Sequence, residues 1–345
     1  MEPMGQDRMR EKYSRQILFA GIGEAGQQRL GGARAVLVGC GALGSAQANA
    51  LVRAGIGAVR IIDRDFVEES NLQRQMLFDE QDAREALPKA VAAERKLKAI
   101  NSAVEVEGAV ADLVAENAEQ LLSGADAILD GTDNFETRYL INDVAVKHNR
   151  PWVYGAVVAS YGIAMPIVPG RTACFTCWLA ERPEGALEET CDTVGVINPA
   201  VNWVAALQVS EVLKLLAGNW KLEEACLHSG DLWKNQFRSL PVPRPRAGCR
   251  TCGQRDFVHL RGQAQPQVTL CGRNSVQIHE RGRQLDLGQL GARLASHGTV
   301  RSNNYLLRFW VPPYELTVFA DGRAIIAGTK DPAVARSLYA RYIGT

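Results

Sequence analysis

A glycine-rich turn between an apolar run and a helical pattern constrains the fold of this chain more than any other feature. Residues 34–39 (RAVLVG) form a short apolar run that ends in glycine, and residues 42–54 (ALGSAQANALVRA) carry apolar side chains three or four positions apart. The turn between them has glycine at Gly39, Gly41 and Gly44. This spacing lets the backbone approach a phosphate closely and points the start of a helix at the anion. The segment therefore predicts a strand, a nucleotide-binding turn and a helix.

The same alternation continues along the first half of the chain. Further strands are predicted at 59–63, 103–110, 126–132 and 151–158, and helices at 88–100 and 134–149. Strands that alternate with helices indicate a parallel sheet covered on both faces. The prediction is an α/β fold with a Rossmann-like, doubly wound, mainly parallel sheet. After Tyr161 the pattern changes to a polar loop at 181–195, a long helix at 197–217 and two strands at 225–229 and 235–240.

Length and composition limit the kinds of protein this can be. The chain has 345 residues, which exceeds the usual size of one domain, so we expect a large domain at 1–255 and a small α+β domain at 256–345. Apolar residues make up 46% and charged residues 22%, which excludes general disorder. A formal charge of +1 predicts no attraction to nucleic acid or to an anionic membrane. With no signal-like or membrane-spanning apolar run, the expected location is cytoplasmic.

Acidic, amide and basic residues follow the next strand. Asp63 ends that strand, where a carboxylate can accept hydrogen bonds from a ribose, and this much fits an NAD-dependent oxidoreductase equally well. The residues that follow fit that class less well; they are Asp65, Asn71, Arg74 and Lys89. A triphosphate carries about four negative charges and needs such cations, whereas a nicotinamide pyrophosphate carries two. As an alternative, each of these residues is a solvated surface group.

A second acidic motif, Asp-Gly-Thr-Asp-Asn, closes the strand at 126–132. Its second carboxylate, Asp133, belongs to the same sheet edge as the glycine turn. Carboxylate and phosphate repel each other unless a metal bridges them, which makes Asp133 a candidate magnesium ligand. The alternative is that Asp133 caps the helix that begins near Asn134.

Five of the eight cysteines carry functional hypotheses. Two C-x-x-C pairs give the ligand set of a closed structural zinc site: Cys174, Cys177, Cys249 and Cys252. Cys191 instead lies in the polar loop EETCDTVG, away from any apolar pattern. On the residues alone it is either an incidental exposed thiol or a reactive one.

Taken together, these motifs resemble the ThiF/MoeB/HesA enzymes, which are similar to the adenylating half of ubiquitin-activating enzymes. The resemblance covers roughly residues 9–255 and rests on YSRQILFAGIGEAGQQRL, GCGALG, DRDFVEESNLQRQ, LPKA, DGTDNFETR and the paired C-x-x-C. It implies that ATP and Mg²⁺ activate the terminal carboxylate of a ubiquitin-like sulfur-carrier protein ending in Gly-Gly. The departures are Ala42, where much of the family has glycine, and residues 256–345, which resemble the carboxyl extension of longer ThiF-type proteins.

The resemblance also implies roles for single residues. The turn at Gly41 would hold the nucleotide, Asp63 its ribose and Asp133 the magnesium. The phosphate contacts would be Asn71, Arg74 and Lys89. Arg15, in YSRQ, would reach into the site of a partner subunit, which implies a homodimer. Cys191 would link to the activated carrier during sulfur transfer from a donor protein in ThiF-type relatives, whereas MoeB-type relatives adenylate without it.

These implications leave several functions open. The first is adenylation of a sulfur carrier for thiamine thiazole synthesis, and the alternative within the family is a MoeB-type enzyme for molybdopterin synthesis. From other classes, an NAD-dependent oxidoreductase explains only the glycine turn and Asp63, and a catalytically inactive carrier-binding scaffold leaves the nucleotide-site residues without a purpose.

Overall fold

A computed structural model describes residues 10–180, 194–262, 269–271, 274–279 and 284–344. The chain divides into two compact units, Met1–Ala264 and Gln265–Thr345. The division falls after residue 264, whereas the sequence analysis expected it after residue 255. The residues in between belong to the first unit because Phe257 and Leu260 pack against its core, and the N–H groups of His259 and Leu260 donate to Asp143.

The first unit is built on an eight-stranded sheet with the order β3-β2-β1-β4-β5-β6-β7-β8. The strands are β1 (Arg34–Val38), β2 (Ala58–Asp63), β3 (Glu105–Val110), β4 (Ala127–Asp130), β5 (Trp152–Val158), β6 (Tyr161–Ile167), β7 (Cys226–Asp231) and β8 (Gln236–Pro241). Strands β1 to β5 pair in parallel, and β6 to β8 add antiparallel neighbours. The predicted α/β fold with a mainly parallel sheet is therefore confirmed, and β6 is a strand that the sequence analysis did not predict.

Helices cover this sheet. They are α1 (Ser14–Ile17), α2 (Gly23–Gly32), α3 (Ala42–Ala54), α4 (Glu80–Arg84), α5 (Lys89–Ile100), α6 (Ala118–Leu121), α7 (Phe135–Lys147), α8 (Phe175–Trp178) and α9 (Asn198–Leu216), with short 3₁₀ turns at Glu69–Asn71 and Leu222–Glu224. No helix in the described part of the chain combines the length and apolar character needed to span a bilayer.

The parallel strands form the centre of the first unit. In β1, Ala35, Val36 and Leu37 are fully buried, and Ile128 and Leu129 of β4 are equally inaccessible to solvent. A strand covered on both faces must be apolar at consecutive positions, which explains the uninterrupted apolar runs in the sequence. Full burial of each such leucine or isoleucine stabilises the fold by roughly 1.5–3 kcal/mol.

The chain order of the strands creates a crevice between β1 and β4. From β1 the chain proceeds outward through β2 and β3 on one side, then returns to add β4 and β5 on the other side. In such sheets the crevice at the carboxyl ends of the strands, where the winding direction reverses, is the usual place for a ligand. The glycine turn after β1 and the acidic motif after β4 both lie there.

The second unit is a six-stranded antiparallel sheet with two helices. Its strands, in the order β11-β12-β13-β14-β10-β9, are β9 (Thr269–Cys271), β10 (Ser275–His279), β11 (Thr299–Ser302), β12 (Leu306–Val311), β13 (Tyr314–Phe319) and β14 (Arg323–Ala327), and the helices are α10 (Leu287–Leu294) and α11 (Pro332–Tyr342). Its core includes Leu290, Leu307, Leu316 and Tyr339. The small α+β architecture expected from the sequence is confirmed.

Candidate nucleotide site and cysteine cluster

The glycine turn is closed on one side and open on the other. Gly39 has a φ of +88°, and a Cβ there would lie 2.6 Å from the carbonyl oxygen of Gly131. A Cβ at Gly44 would lie 1.9 Å from the carbonyl oxygen of Gly39, so only glycine fits where the helix packs on the turn. At Gly41 the nearest atom to such a Cβ is Nε2 of Gln75, at 3.8 Å. The backbone at Gly41 is therefore accessible to a ligand on this side.

The start of helix α3 offers hydrogen-bond donors to that ligand. Gly41 is the N-cap residue of this 13-residue helix, and no side chain caps it. The first N–H groups of a helix have no partner within the helix, and together with the helix dipole they favour a bound anion.

Asp63 lies next to the glycine turn. Its Oδ2 accepts the N–H of Cys40 at 2.5 Å and its Oδ1 accepts the N–H of Asp65 at 2.7 Å. Burial raises the pKa of Asp63, and the nearby ammonium group of Lys89 opposes this change. Each carboxylate oxygen has a further lone pair, so the group can also accept a hydroxyl hydrogen bond. Cys40 itself is fully buried, as expected for a packing residue of the turn.

Lys89 is a buried cation among carboxylates. It is the first residue of helix α5, its side chain is 9% exposed, and its Nζ lies 3.2 Å from Oδ2 of Asp65. Burial alone would lower the pKa of Lys89, but the carboxylates of Asp65, Asp63 and Asp133 together raise it. The ammonium group is therefore charged at neutral pH. The sequence analysis placed these four residues at one sheet edge, and their electrostatic coupling agrees with that placement.

Asn71 and Arg74 lie on the segment that follows β2. Asn71 is 5% exposed, and its carbonyl oxygen accepts the N–H of Arg74 at 3.1 Å and that of Gln75 at 3.0 Å. The guanidinium of Arg74 donates to the carbonyl oxygen of Ser70 at 3.0 Å. Among the residues that the structure describes, Arg74 forms no ion pair with a carboxylate. Its charge is thus available to an anionic ligand.

A buried ion pair that the sequence analysis did not identify shapes the acidic motif. Nε of Arg138 donates to Oδ2 of Asp130 at 2.9 Å, and both side chains are at most 5% exposed. Oδ1 of Asp130 accepts from the backbone N–H and the hydroxyl of Thr132, at 2.9 and 2.6 Å. Arg138 also donates to the carbonyl oxygens of Thr132 and Gly155. A carboxylate at the end of a fully buried strand requires a cation, and that requirement was the available sequence signal.

Asp133 projects from the turn that this ion pair holds. Its side chain is exposed, and within the described ranges no hydrogen bond or ion pair engages its carboxylate. The neighbouring Asn134 caps helix α7 by accepting the N–H of Thr137 at 2.8 Å, so the alternative that Asp133 is the cap is wrong. The charge of Asp133 acts on both Lys89 and Arg138. An accessible carboxylate without a protein partner fits a magnesium ligand chemically.

The amino-terminal helix α1 positions Arg15 at the surface. Tyr13 is buried and its hydroxyl accepts from Nδ2 of Asn101 at 2.8 Å, which anchors the segment. Arg15 is exposed, and the large apolar side chains of Leu18 and Phe19 close by are 73% and 64% exposed. The predicted role of Arg15 in a partner's site stays a prediction.

The four cysteines of the C-x-x-C pairs come together, as predicted. Their Sγ atoms all lie within 4.8 Å of one another: Cys174, Cys177, Cys249 and Cys252. The Cys174–Cys249 and Cys177–Cys252 sulfur separations are 3.6 and 3.3 Å, far beyond the ~2.05 Å of a disulfide. Four thiols at such separations fit a tetrahedral metal ion, and all four positions of that ion would be filled by protein.

Helix α7 holds both cysteine pairs in place. Oδ1 of Asn142 accepts the N–H of Phe175 at 2.8 Å, and Nδ2 donates to Oγ1 of Thr176 at 3.2 Å. Oγ1 of Thr176 in turn lies 3.0 Å from Oγ1 of Thr251, which belongs to the second pair. Thr251 also donates to Oδ1 of Asp143 at 3.4 Å. Each C-x-x-C segment is therefore tied to the same helix.

Asp143 is a buried carboxylate beside this cluster. Oδ2 accepts the N–H groups of His259 and Leu260 at 3.0 and 3.2 Å. Burial nevertheless raises the pKa of Asp143 to about 6. Cys191, the last of the predicted site residues, lies outside the described residues.

Comparison with known proteins agrees with this geometry. A family model described as the ThiF family matches residues 13–251. The sulfur carrier protein ThiS adenylyltransferase of Bacillus subtilis (strain 168) is 48% identical over 340 residues, which cover 97% of this chain and 100% of the relative. The sulfur carrier protein adenylyltransferase of Thermus thermophilus is 38% identical over 258 residues, covering 72% and 94%. Among solved structures, Escherichia coli MccB with ATP has a TM-score of 0.61 at 24% identity, covering 70% and 74%, which shows similarity of fold alone.

Proposed function

The chain belongs to the ThiF family, and from this premise we propose that it adenylates the terminal carboxylate of a sulfur-carrier protein. The observation that carries the proposal is the set of groups at the carboxyl ends of β1, β2 and β4. These are an uncapped helix start, the buried ammonium of Lys89, the guanidinium of Arg74 and the accessible carboxylate of Asp133. Together they suit a triphosphate and a metal ion.

In the proposed reaction, a carboxylate oxygen of the carrier attacks the α-phosphorus of ATP. The bond between this phosphorus and the bridging oxygen of the leaving pyrophosphate breaks, which gives an acyl-adenylate and free pyrophosphate. A carboxylate has no proton to lose, so the reaction needs no general base. It does need compensation of charge, because both reactants are anionic, and it needs an in-line arrangement of the reacting atoms.

The residues divide these tasks. Asp63 accepts hydrogen bonds from the ribose, while Asn71, Arg74 and Lys89 bind phosphate oxygens. Asp65 keeps Lys89 charged and in place through their ion pair at 3.2 Å. Asp133 would hold a magnesium ion, which would lower the charge repulsion between carboxylate and phosphate when bound.

The name of the Bacillus relative favours one pathway. It acts on ThiS, and it is similar to this chain along its whole length, including the second unit. We therefore propose a ThiS-like carrier and a place in thiamine thiazole synthesis, with a MoeB-type enzyme of molybdopterin synthesis as the alternative. The alternative of an NAD-dependent oxidoreductase gives no function to Arg74, Asp133 and the cysteine cluster. The alternative of an inactive scaffold does not explain a buried, charged Lys89.

Two further parts of the proposal concern assembly and metal. The exposed Leu18 and Phe19 beside Arg15 support a homodimer in which Arg15 reaches the partner's nucleotide. The four-cysteine cluster fits a structural zinc ion, because thiolates are preferred zinc ligands and the cluster leaves no position for a substrate. The cytoplasmic location expected from the sequence remains a prediction.

Cys191 has a separate test. A relay role predicts that Cys191→Ser still adenylates the carrier, because attack on the α-phosphate requires no thiol. The variant should lose a reducible covalent adduct with the carrier when a sulfur-donor protein is added, as measured by mass spectrometry with and without reductant. An adduct that persists in Cys191→Ser would remove this residue from the mechanism.

Carrier-dependent ATP–pyrophosphate exchange tests the main proposal. The purified protein would be assayed with Gly-Gly-terminated carriers of the ThiS type and of the molybdopterin-synthesis type, and with each carrier shortened by its last two residues as a control. We expect a ThiS-type carrier to stimulate exchange and its shortened form to fail. Stimulation by the molybdopterin-synthesis carrier alone would assign the MoeB-type pathway, and no exchange with any carrier would contradict the proposed activity.

A further inference from the structure

Gln75 is a buried polar residue beside the glycine turn that none of the roles above employs. It is 4% exposed and directly follows Arg74. Its N–H donates to the carbonyl oxygen of Asn71 at 3.0 Å, and its carbonyl oxygen accepts the N–H of Phe78 at 3.1 Å. The backbone is thus held in a turn, which fixes where the side chain begins.

Among the described residues, the side chain of Gln75 has no hydrogen-bond partner. Its Oε1 is buried and forms no hydrogen bond. Its Nε2 is the atom nearest to the open side of Gly41, 3.8 Å from the position of a Cβ there. In the part of the chain that the structure describes, the side-chain amide of Gln75 makes no hydrogen bond at either end.

A buried amide without hydrogen bonds to the described protein is unfavourable, and a hydrogen-bond acceptor bound at the turn would give its nitrogen a partner. A methionine of similar length would fill the same space and leave no buried carbonyl oxygen unsatisfied. Folding alone therefore gives no reason for an amide here. The amide nitrogen carries two N–H donors and no charge, and it faces the turn whose helix start favours an anion.

We propose that Gln75 contacts the nucleotide, with Nε2 donating a hydrogen bond to a phosphate oxygen held at the turn of Gly39 to Gly44. This inference rests on the proposed function, because it deepens the description of the same site. Arg74 and Lys89 supply positive charge, whereas a neutral donor adds direction. The amide of Gln75 fixes the orientation of the phosphate at Gly41, where no side chain of the turn itself can do so.

The test compares two substitutions by direct ATP binding in the presence of Mg²⁺, without carrier, by calorimetry. Gln75→Met keeps the volume and removes the donor, so we expect the Kd for ATP to rise about 10- to 100-fold, as for the loss of a hydrogen bond to a charged group. Gln75→Glu places a carboxylate next to phosphate, so we expect a larger rise. The melting temperature of Gln75→Met should not fall, because the variant removes an unsatisfied buried group.

A matched control is available in Gln27, another buried glutamine. Its Nε2 donates to the carbonyl oxygen of Ala54 at 3.0 Å and its Oε1 accepts from Gln16 at 2.6 Å, so its amide has a structural purpose. Gln27→Met should lower thermal stability and leave the Kd for ATP unchanged. The opposite behaviour of the two methionine variants distinguishes a ligand contact from a packing role.

Unchanged ATP affinity in Gln75→Met would overturn the inference. If that variant does not fold, Gln75→Glu decides, because a contact requires weaker ATP binding and unchanged affinity excludes it. The experiments can reject the Gln75 contact and the proposed adenylation independently of each other. Loss of ATP affinity without any carrier-dependent exchange would retain the nucleotide contact and reject the adenylation of a carrier.

Discussion

Polar groups at the carboxyl ends of β1, β2 and β4, the nucleotide edge, differ in their hydrogen bonding from polar groups around the cysteine cluster. At the edge of the sheet, the carboxylate of Asp133 and the amide of Gln75 have no hydrogen-bond partner in the described protein. Around the cysteines, by contrast, Asn142 and Asp143 are each bonded to more than one group of the C-x-x-C segments or of the chain that follows. A buried or desolvated polar group without a partner costs stability. Of the two groups at the edge only the Gln75 amide is buried, and both lie where a ligand can bind them, whereas Asn142 and Asp143 already have protein partners.

This difference predicts different consequences of substitution. Changes at the cysteine cluster should mainly lower stability, and changes at the nucleotide edge should mainly lower ligand binding and rate. The ion pair of Asp130 and Arg138 is the exception, because it lies at the nucleotide edge but its charged groups have hydrogen-bond partners within the protein.

The largest expected effect is at the cysteine cluster. Metal binding to structural zinc sites is worth roughly 10–16 kcal/mol in small domains, which sets the upper limit for the loss in Cys249→Ser. We expect about one zinc per chain by elemental analysis in the native protein, and a sharp fall in melting temperature for the variant or after chelation. Cys226→Ser, at a half-buried cysteine outside the cluster, is the control and should keep its metal. A metal-free protein of full stability would refute the zinc assignment.

The next effect concerns the buried ion pair. Arg138→Met leaves the carboxylate of Asp130 buried without a cation, which should cost about 3–5 kcal/mol of unfolding free energy in a urea titration. The double variant Asp130→Asn with Arg138→Met removes both charges and should recover much of the loss. If the single and double variants are equally unstable, the pair is not the source of the effect.

A smaller effect on free energy, but a large one on rate, is expected for Asp133→Asn and Arg74→Ala. Removing one electrostatic contact of this kind typically lowers the rate ~10²–10³-fold, so carrier-dependent pyrophosphate exchange should fall by that factor. The stability of either variant should remain within about 0.5 kcal/mol of the native protein, since neither side chain forms an ion pair with the described residues. Glu80→Gln, at an exposed glutamate, serves as the control for loss of one charge. Near-normal exchange in both variants would contradict the assignment of the site.

The last prediction is a dependence of stability on pH at Asp143. Burial raises the pKa of Asp143 from 3.8 to about 6, so the folded protein binds a proton more tightly there than the unfolded chain does. Its contribution to stability is therefore most favourable below about pH 4 and is lost as the pH rises through 6, by about 3 kcal/mol in total. The difference in unfolding free energy between the native protein and Asp143→Asn should change in that direction between pH 4 and 7. A constant difference would indicate an ordinary pKa at this position.

The sequence predicted the parallel half of the large sheet better than the antiparallel half. The predicted helix at 42–54 coincides with α3 because the apolar spacing and the glycines act locally. Strand β6 was missed because its sequence contains Gly162 and Pro166, which are unfavourable inside a strand. In the fold, only Tyr161 to Ala164 pair with β7, so Pro166 lies where no N–H is needed on that side. Whether Pro166 is tolerated depends on where strand β7 ends, and the sequence around Pro166 does not show this.

The candidate site shows the same distinction. Gly41, Asp63 and Lys89 could be assigned because each follows a predicted strand or begins a predicted helix. Gln75 could not, because its importance depends on the glycine turn that the fold brings next to it, and Arg138 was missed although Asp130, eight positions before it, signals the need for a cation. The motif DGTDNFETR offers a cation at its last residue for the buried carboxylate at its first, but it does not show that the two side chains meet.

The wide separation of the two cysteine pairs has a consequence during synthesis. Cys174 and Cys249 are 75 positions apart, with helix α9 and strands β7 and β8 between them. At translation rates of roughly 5–20 residues per second, the first pair leaves the ribosome about 4–15 s before the second. During that interval the nascent chain presents a two-thiol half-site that can bind metal only incompletely and is open to oxidation. We therefore expect synthesis in a reducing environment to protect the first pair until the second is available to complete the cluster.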